Sequence, residues 1–552
     1  MIRPKVNSTV GLASLGAVLL WAALPPVDFG PLAWVAPIPW LLLIRRNELE
    51  GRRPYRTLWM VGFSFWLAAL HWLRLPYWAT GIGWIALSFY LAFYLPLFVA
   101  IGRTAVHRLH VPSIVAAPVI WTGFELARAH LLTGFTMASL GHTQYRWIDL
   151  IQISDLVGFY GVCFLVMFVA ACLAAMIPVD GRRWATKDLC LLAPIALALA
   201  AALTYGHFRR QVAPREPAAE ILLVQGSIDI EIKDDPTKLD AIHDQYDELT
   251  RQGVEACRDA HGRAPDLVVW PETMFRHSLL FYDRDAQPPP GWPYSRDDFF
   301  RWLAWQNRQT QLELAKLLGM ADSPLLLGID AEEYTSGRPR YYNSAAYFGR
   351  DGRLLGRYDK MHPVMYGEYL PFGYWMPWLQ DHWPVRILTE GERPVSMPVG
   401  RLRIAPNICY ETVLPHLIRR QVNDLIAAGE EPDVLVNLTN DGWFWGSSEL
   451  DMHLICGVFR AIEVRKPVVI AANTGFSAWI DGDGTILARG PRQDTGTLLC
   501  SVAPDSRSSW YLRYGDWFPG ACLLATLLAA GYGLWRSRRE RVCAATSAVK
   551  RA

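Results

Sequence analysis

The sequence predicts a polytopic α-helical membrane domain of about eight transmembrane helices joined to a large extracytoplasmic α/β domain. Long apolar stretches recur through the first 205 residues and once near the end, and only 19% of all residues are charged. Residues 206–515 are instead polar and punctuated by proline, and they alternate β-rich runs with helical stretches, which is typical of an α/β domain. The net charge of +2 does not indicate a nucleic-acid partner.

The membrane domain is predicted from stretches that match the thickness of a bilayer, whose hydrocarbon core of roughly 30 Å takes about 20 helical residues. The eight stretches are Val10–Leu24, Pro31–Ile44, Leu58–Trp78, Trp84–Ile101, Ser113–Ala127, Leu156–Ile177, Leu189–Tyr205 and Trp517–Trp535. We therefore expect a membrane domain with about seven spans over residues 1–205. A last transmembrane helix and a basic tail are expected over residues 516–552.

The distribution of basic residues predicts the orientation of this domain. Lysine and arginine concentrate on alternate connections between the apolar stretches, as in the segments 45–56, 103–108 and 182–187, and they return in the tail at 536–541. Because cytoplasmic loops carry an excess of these residues, we expect both termini in the cytoplasm. Residues 206–515 then form a domain outside the cytoplasm.

Eight short β-rich runs and two helical stretches predict the α/β domain. The runs are Ile221–Val224, Leu267–Trp270, Leu325–Ile329, Ala345–Phe348, Leu402–Ala405, Val434–Leu438, Val468–Ala471 and Ala478–Ile480, and the helical stretches are Leu239–Asp259 and His453–Val464. The dipeptides Asp351-Gly352 and Asp483-Gly484 indicate hairpin turns. Residues 283–308, with mixed charge and a run of prolines, predict a surface excursion that the chemistry does not need.

Three apolar runs each end in a residue that is suited to acyl transfer. Cys409 ends the run 402–408, Glu272 follows Trp270-Pro271, and Lys360 closely follows another apolar stretch. A thiol must lose its proton before it attacks a carbonyl group, and a nearby carboxylate can take that proton. A fixed ammonium group can stabilise the oxyanion that the attack creates. We therefore expect a nucleophile at Cys409, a base at Glu272 and an oxyanion-stabilising cation at Lys360.

A Cys-His pair is the alternative, with His362, His416 or His453 as the base, and the spacing of these residues does not exclude it. The nine cysteines show neither CxxC motifs nor Cys/His ligand spacing, so the sequence predicts neither a metal site nor a disulfide framework. It also contains no glycine-rich phosphate loop or dinucleotide fingerprint. We expect chemistry without a cofactor.

Several motifs carry a family resemblance. The segments 270–272, 358–360 and 407–411 resemble the Glu-Lys-Cys signatures of the nitrilase superfamily. A second set is similar to motifs of the apolipoprotein N-acyltransferase family within it, and comprises residues 360–372, 439–444, 460–467, 121–128, 134–135 and 140–144. The resemblance thus extends over nearly the whole chain.

The resemblance implies a nitrilase-like α-β-β-α sandwich in the α/β domain and the same roles for Glu272, Lys360 and Cys409. It also implies supporting roles for three further residues, Glu368, Tyr410 and Glu411. The family's reaction moves a fatty acyl group from a glycerophospholipid through a cysteine thioester to the α-amino group of the S-diacylglyceryl-cysteine of an apolipoprotein. It implies a multi-pass protein of the bacterial inner membrane with a periplasmic catalytic domain.

Two aromatic clusters are candidates for binding the lipid substrates, with ordinary core packing as the alternative. Trp375 and Trp378 lie in the segment 374–379, where Pro371 and Pro377 and the possible hinges Gly367 and Gly373 favour a mobile lid. Asn440 and Trp443 lie in the second candidate segment. The alternative function is a membrane-tethered amidase of small amides that uses water as the acceptor. The seven expected spans before the α/β domain favour lipid substrates, because a hydrolase of soluble substrates needs at most an anchor.

Overall fold

The computed structural model describes residues 8–181, 183–211, 216–233, 235–365, 367–369 and 387–549. It divides into two compact units. The helical unit contains Met1–Arg74, Gly81–Val212 and Arg513–Ala552, and the α/β unit contains Leu75–Thr80 and Ala213–Leu512. The predicted domain limits of 1–205, 206–515 and 516–552 remain predictions about the membrane topology.

Helices account for most of the first unit. They are Thr9–Ala23, Ile38–Arg45, Pro54–Ala69, Trp78–Leu91 (from Gly81 onward), Tyr94–His107, Ser113–His130, Ile148–Ile151, Ser154–Val157, Phe159–Met176, Leu192–Arg210 and Trp517–Val549. Among the described residues, four segments are long and apolar enough to cross a membrane: Thr80–His107, Phe159–Met176, Asp188–Arg210 and Trp517–Glu540. The predicted number of about eight spans is therefore not confirmed.

Prolines account for one of the differences. The predicted span Pro31–Ile44 forms a 3-10 turn over Gly30–Trp34 and then a helix of only eight residues, Ile38–Arg45. A proline has no backbone N–H and clashes with the preceding turn, so Pro37 and Pro39 are found at the start of a helix rather than within a continuous one.

The α/β unit contains two six-stranded sheets. Their strands are β1 Ala219–Gln225, β2 Leu267–Tyr282, β3 Leu325–Tyr334, β4 Arg340–Phe348, β5 Leu354–Asp359, β6 Met397–Val399, β7 Leu402–Ile408, β8 Val434–Thr439, β9 Val468–Ala472, β10 Ala478–Ile480, β11 Ile486–Arg489 and β12 Gly496–Val502. The first sheet has the order β12-β1-β2-β3-β4-β5 and the second β11-β10-β9-β8-β7-β6. The centre of each sheet is parallel, over β1-β2-β3 and β7-β8-β9, and the outer pairs are antiparallel.

Alternating side chains of the strands build two hydrophobic layers. In β1, Ile221 and Leu223 belong to a core that also contains Ile404 and Val436 of the second sheet, so the two sheets pack face to face. The intervening residue Leu222 belongs to a separate core with residues of the outer helices. This period of two is the geometry of a strand that is buried on both faces.

Four long helices cover the outer faces of the two sheets. They are Leu239–His261 and Arg296–Ala321 on the first sheet and Pro415–Ala427 and Glu449–Val464 on the second. The helix–sheet–sheet–helix order confirms the nitrilase-like α-β-β-α sandwich that the family resemblance implied.

The predicted elements of this unit are present, with two differences. The hairpin turns join β4 to β5 and β10 to β11 as expected, although β5, β6 and β11 were not predicted as strands. The prediction of a surface excursion over residues 283–308 is wrong from residue 296 onward. A helix begins at Arg296, with Ser295 as its N-cap. Phe299 and Leu303 of that helix are fully buried in a small core with Tyr334.

Candidate active site

Glu272 lies in an interruption of β2. The parallel pairing of β2 with β3 shifts register between Trp270 and Phe275, so that residues 271–274 form a bulge rather than a regular strand. Thr273 within it has a φ of +53°, in the left-handed region. Bulges redirect side chains and are frequent beside active sites. This one places the carboxylate of Glu272 at the centre of a group of polar side chains.

A glycine on the neighbouring strand makes room for the bulge. A Cβ atom on Gly328 of β3 would lie 2.1 Å from the carbonyl oxygen of Pro271 and 2.6 Å from Cα of Glu272. Neither atom belongs to a flexible side chain, so a larger residue at position 328 would displace the backbone of the bulge.

Three donors hold the carboxylate of Glu272, which is only 6% exposed. Nδ2 of Asn343 donates to Oε1 at 2.7 Å, and Nζ of Lys360 donates to the same oxygen at 3.3 Å. The backbone N–H of Asn440 donates to Oε2 at 2.9 Å. Both oxygens therefore have partners, and the carboxylate is fixed from three different segments of the chain.

Lys360 follows β5 directly and is 2% exposed. Its Nζ lies 2.7 Å from Oε1 of Glu368, which is closer than its distance to Glu272. Burial acts to lower the pKa of Lys360, but the charges of Glu368 and Glu272 outweigh it and raise the pKa well above its ordinary value. Lys360 is therefore a buried ammonium group between two carboxylates.

Cys409 directly follows β7 and has a φ of +52°, a left-handed conformation that costs energy for any residue except glycine. The residue as a whole is partly exposed. Its carbonyl oxygen accepts hydrogen bonds from Nδ2 of Asn437 and from Nε2 of His453, both at 3.2 Å. The strained turn after the strand is thus held by two side chains of the second sheet and its helix.

The surroundings of the Cys409 thiol keep it protonated. Burial raises its pKa well above the ordinary value, the charge of Glu272 raises it further, and the ammonium of Lys360 opposes these effects only in part. A thiol in this state cannot attack a carbonyl group unless a base removes its proton.

Glu411 joins the segment of Cys409 to the segment of Lys360. Its carboxylate accepts from the hydroxyl of Tyr358 at 2.8 Å, from the N–H of Met361 at 2.7 Å and from the N–H of Ile408 at 2.7 Å. Burial raises the pKa of Glu411, and these hydrogen bonds offset that rise in part. Glu411 is 3% exposed, and it connects the ends of β5 and β7.

The structure brings together most of the other predicted site residues. Tyr410 is partly exposed, and its ring lies parallel to that of His362 with the centroids 6.3 Å apart. Trp443 lies in the 3-10 helix Asp441–Phe444 that follows Asn440. Trp375 and Trp378 lie outside the described residues.

The alternative bases are placed differently. His453 contacts the backbone carbonyl of Cys409, and His362 donates its backbone N–H to Glu411. His416 lies in the first turn of the helix Pro415–Ala427. Glu272 and Lys360 are in contact with each other and, through their charges, act on the Cys409 thiol. The choice between the Glu-Lys-Cys set and a Cys-His pair stays a prediction.

Two clusters among the described residues could hold a metal ion by the type of their side chains: Asp441 with Glu449 and His453, and His243 with His277 and Glu313. Both nitrogens of His453 already contact protein oxygens. Both nitrogens of His243 likewise have protein partners, in Glu313 and the N–H of Arg276. The predicted absence of a metal stays a prediction.

Three residues of the site, Asn343, Asn437 and Gly328, were not predicted from the sequence. Asn343 and Asn437 lie within β4 and β8 and are 5% and 0% exposed. An amide in the middle of an apolar strand requires buried partners, so the sequence did contain a signal for these two. Gly328 interrupts a run of leucines in β3, and glycine in a strand marks a bulge or a close approach of another backbone.

Each of the two units matches a known protein family. Residues 16–172 match the apolipoprotein N-acyltransferase N-terminal domain, and residues 238–511 match the carbon-nitrogen hydrolase family. An apolipoprotein N-acyltransferase from Geobacter metallireducens is 32% identical over 541 residues, which cover 95% of each chain. The chain belongs to the apolipoprotein N-acyltransferase family.

Other members of the family are less similar in sequence but match over an equally large part of the chain. The apolipoprotein N-acyltransferase from Rhodopirellula baltica is 28% identical over 96% of this chain and 98% of its own. Among solved structures, an amidase from Nesterenkonia sp. AN1 is 16% identical, with a TM-score of 0.34, and covers 54% of this chain and 96% of that one. The region that matches carbon-nitrogen hydrolases contains Glu272, Lys360 and Cys409.

Proposed function

We propose that this chain transfers a fatty acyl group from a membrane glycerophospholipid to the α-amino group of the N-terminal S-diacylglyceryl-cysteine of apolipoproteins, giving triacylated lipoproteins. The observation that carries this proposal is the similarity to apolipoprotein N-acyltransferases over 95% of the chain, which includes the helical unit as well as the hydrolase-like unit. An amidase that acts on small soluble amides requires only the hydrolase-like unit. We assign the acyl carrier to Cys409.

The first half-reaction acylates the enzyme. Glu272 takes the proton of the Cys409 thiol while the sulfur attacks the ester carbonyl carbon of the phospholipid. The carbonyl oxygen becomes an oxyanion, which the ammonium of Lys360 and the backbone N–H of Tyr410 stabilise. The bond from the carbonyl carbon to the glycerol oxygen then breaks, and Glu272 returns its proton to that oxygen. A lysophospholipid leaves, and the acyl group remains on the sulfur as a thioester.

The second half-reaction transfers the acyl group to the lipoprotein. The α-amino nitrogen of the diacylglyceryl-cysteine attacks the thioester carbonyl carbon, and Glu272 takes a proton from that nitrogen. When the oxyanion collapses, the carbon–sulfur bond breaks, and the proton on Glu272 returns to the sulfur of Cys409. The products are an amide on the lipoprotein and the free enzyme, so protons and bonds balance over the cycle.

The electrostatics of the site support this division of roles. The raised pKa of Cys409 means that the resting enzyme holds a thiol, and the mechanism therefore needs a base beside it. Lys360 keeps its charge because Glu368 and Glu272 flank it. Glu368 thus supports the cation, and Glu411 supports the turn of Cys409.

We assign lipid binding and location from the chemistry of the substrates. Both substrates carry acyl chains, so Trp443, Trp375 and Trp378 are candidates to contact those chains, with Asn440 as the residue that fixes the base. The four long apolar helices support a multi-pass protein of the bacterial inner membrane. In this arrangement the α/β unit faces the periplasm and both termini face the cytoplasm.

Intact-protein mass spectrometry tests the proposal. The purified full chain, incubated with phospholipid alone, should gain one acyl mass, which peptide mapping should assign to Cys409. Addition of a diacylglyceryl peptide should remove that mass and yield the triacylated peptide. C409S should gain no mass, and C190S, which alters an exposed cysteine of the helical unit, should behave as the wild type.

Two results would overturn the proposal. One is an acyl mass on a residue other than Cys409. The other is hydrolysis of small amides by a protein that acquires no acyl group from phospholipid, which is the behaviour of an amidase.

A further inference from the structure

His453 connects the backbone of the proposed nucleophile to a buried carboxylate. Its Nε2 lies 3.2 Å from the carbonyl oxygen of Cys409, and its Nδ1 lies 3.1 Å from Oδ1 of Asp441. His453 is 2% exposed and Asp441 is 3% exposed, so water does not compete for either contact. From the sequence alone, His453 is a candidate only as an alternative base for the thiol.

The partners of the ring determine its protonation state. A carbonyl oxygen and a carboxylate oxygen only accept hydrogen bonds, so both nitrogens of His453 must carry a proton if both contacts are hydrogen bonds. A neutral imidazole has one N–H, whereas the imidazolium form has two. The two contacts are therefore satisfied together only by a positively charged His453.

The charges around the ring agree with this assignment. Burial acts to lower the pKa of His453, but the charge of Asp441, its hydrogen bond, the Cys409 carbonyl and the charge of Glu272 raise it above the ordinary value. Glu449, the remaining acidic neighbour, has a pKa raised well above its usual range by burial and by the charges of Asp441 and Asp451.

The geometry of the peptide bond gives this contact a consequence for the reaction. In a trans peptide the C=O of one residue and the N–H of the next point in opposite directions in one plane. A hydrogen bond that fixes the carbonyl of Cys409 therefore also fixes the N–H of Tyr410. That N–H is the backbone donor that the proposed function assigns to the oxyanion. Cys409 needs such a constraint because its left-handed backbone is strained.

We propose that His453 is a positioning residue: held as an imidazolium by Asp441, it fixes the Cys409–Tyr410 peptide and so aims the Tyr410 N–H at the oxyanion. This inference rests on the proposed function for the identity of the nucleophile. It requires no contact between His453 and either substrate. It differs from the Cys-His alternative, in which the ring would take the thiol proton.

Acylation and alkylation of Cys409 together distinguish a positioning role of His453 from a merely structural role. Acylation of Cys409 by an ester passes through an oxyanion, whereas alkylation by iodoacetamide displaces iodide from a saturated carbon and creates none. H453L removes both donors, and H453Q restores a neutral donor at about the position of Nε2. Rates should be measured on the full chain in detergent, with phospholipid and with a nitrophenyl fatty ester as acyl donors.

The expected result is a selective loss. H453L should slow acylation by up to about 100-fold, the lower limit of the cost of a lost oxyanion donor, because Nδ2 of Asn437 still donates to the same carbonyl. It should change the alkylation rate at most about twofold, and H453Q should recover most of the acylation rate. Equal losses in acylation and alkylation, or no loss in either, would overturn the inference. The nitrophenyl ester keeps the test valid if phospholipid proves not to be the donor.

The pH profile tests the charge. The imidazolium is present below the raised pKa of His453 and is lost as the pH rises through it. The pH profile of wild-type acylation should therefore have a descending alkaline limb. H453Q has no proton to lose at this position and should not show that limb. A limb of the same midpoint in both proteins would contradict the imidazolium assignment.

Discussion

The side-chain amide of Asn343 donates to Oε1 of Glu272 at 2.7 Å, and this contact joins residues that are 71 positions apart in the chain. The backbone carbonyl of Asn343 accepts the N–H of Lys360 at 2.9 Å. One residue of β4 thus sets the positions of the proposed base and the proposed cation. Because Asn343 is 5% exposed, water cannot replace its amide without a change in the structure.

Asn343→Ala should therefore slow the reaction while leaving the fold intact. It removes the amide donor to Glu272 but keeps the backbone bond to Lys360. A hydrogen bond to a charged group contributes about 1.5–3 kcal/mol, which corresponds to about 10- to 150-fold in rate. The rate of thioester formation, followed by quenched mass spectrometry, should fall by that factor with KM nearly unchanged. Y347F, on the same strand, should react as the wild type, and a wild-type rate for N343A would refute the assigned role.

Glu272→Gln should have opposite effects on two reactions of Cys409. Acyl transfer should fall about 100- to 10,000-fold, since the variant lacks a general base. The negative charge of Glu272 raises the pKa of the thiol, so its removal should lower that pKa and increase the thiolate fraction at any pH below it. Alkylation of Cys409 by iodoacetamide at pH 8 should accordingly become faster. Slower alkylation in E272Q would contradict the electrostatic argument.

The resting thiol gives a further pH prediction. Because burial and Glu272 raise the pKa of Cys409 well above its ordinary value, alkylation of the wild type should still be rising with pH at pH 9. Acylation need not follow this profile, since Glu272 removes the proton during the attack. Rates measured from pH 6 to pH 10 on the same preparation test both statements. An alkylation rate that reaches a plateau below pH 8 would show that the pKa of Cys409 is not raised.

Glu411→Gln should destabilise the turn of Cys409. The carboxylate accepts from Ile408, Met361 and Tyr358, whereas an amide would place an NH2 group against one of these donors. A buried donor without a partner costs about 1–3 kcal/mol. Limited proteolysis should show faster cleavage of E411Q near residue 409, together with slower acylation. Y358F removes only one donor and should show a smaller change in both measurements.

The position of the catalytic candidates could be predicted because each ends an apolar run. Cys409 and Lys360 lie directly after β7 and β5, and Glu272 follows the first regular segment of β2. A chemically reactive side chain at the end of a buried strand is recognisable without knowing its neighbours. The distances between these three residues depend on the tertiary structure. The sequence alone therefore did not exclude a histidine as the base.

The residues that hold the candidates in place were not predictable in the same way. Asn343 lies inside a strand, and its partner is distant in the chain, so no local pattern marks their contact. The helix that begins at Arg296 was missed because charged residues fill its first turn and hide the pair Phe299 and Leu303, which are four positions apart. Tertiary burial, rather than local propensity, decided that segment.

Gly328→Ala tests whether the shape of β2 determines the position of the base. The added Cβ would lie 2.1 Å from the carbonyl oxygen of Pro271, a contact that only a shift of the bulge can relieve, and that shift would move Glu272 away from Asn343. We expect acylation to slow by at least about tenfold, because a displacement of about 1 Å can cost 100-fold in rate. Alkylation of Cys409 should be retained, since the thiol is on the other sheet. G319A, at an open position in the helix Arg296–Ala321, is the matched control and should match the wild type in both reactions. If G328A acylates at the wild-type rate, the bulge does not set the position of Glu272.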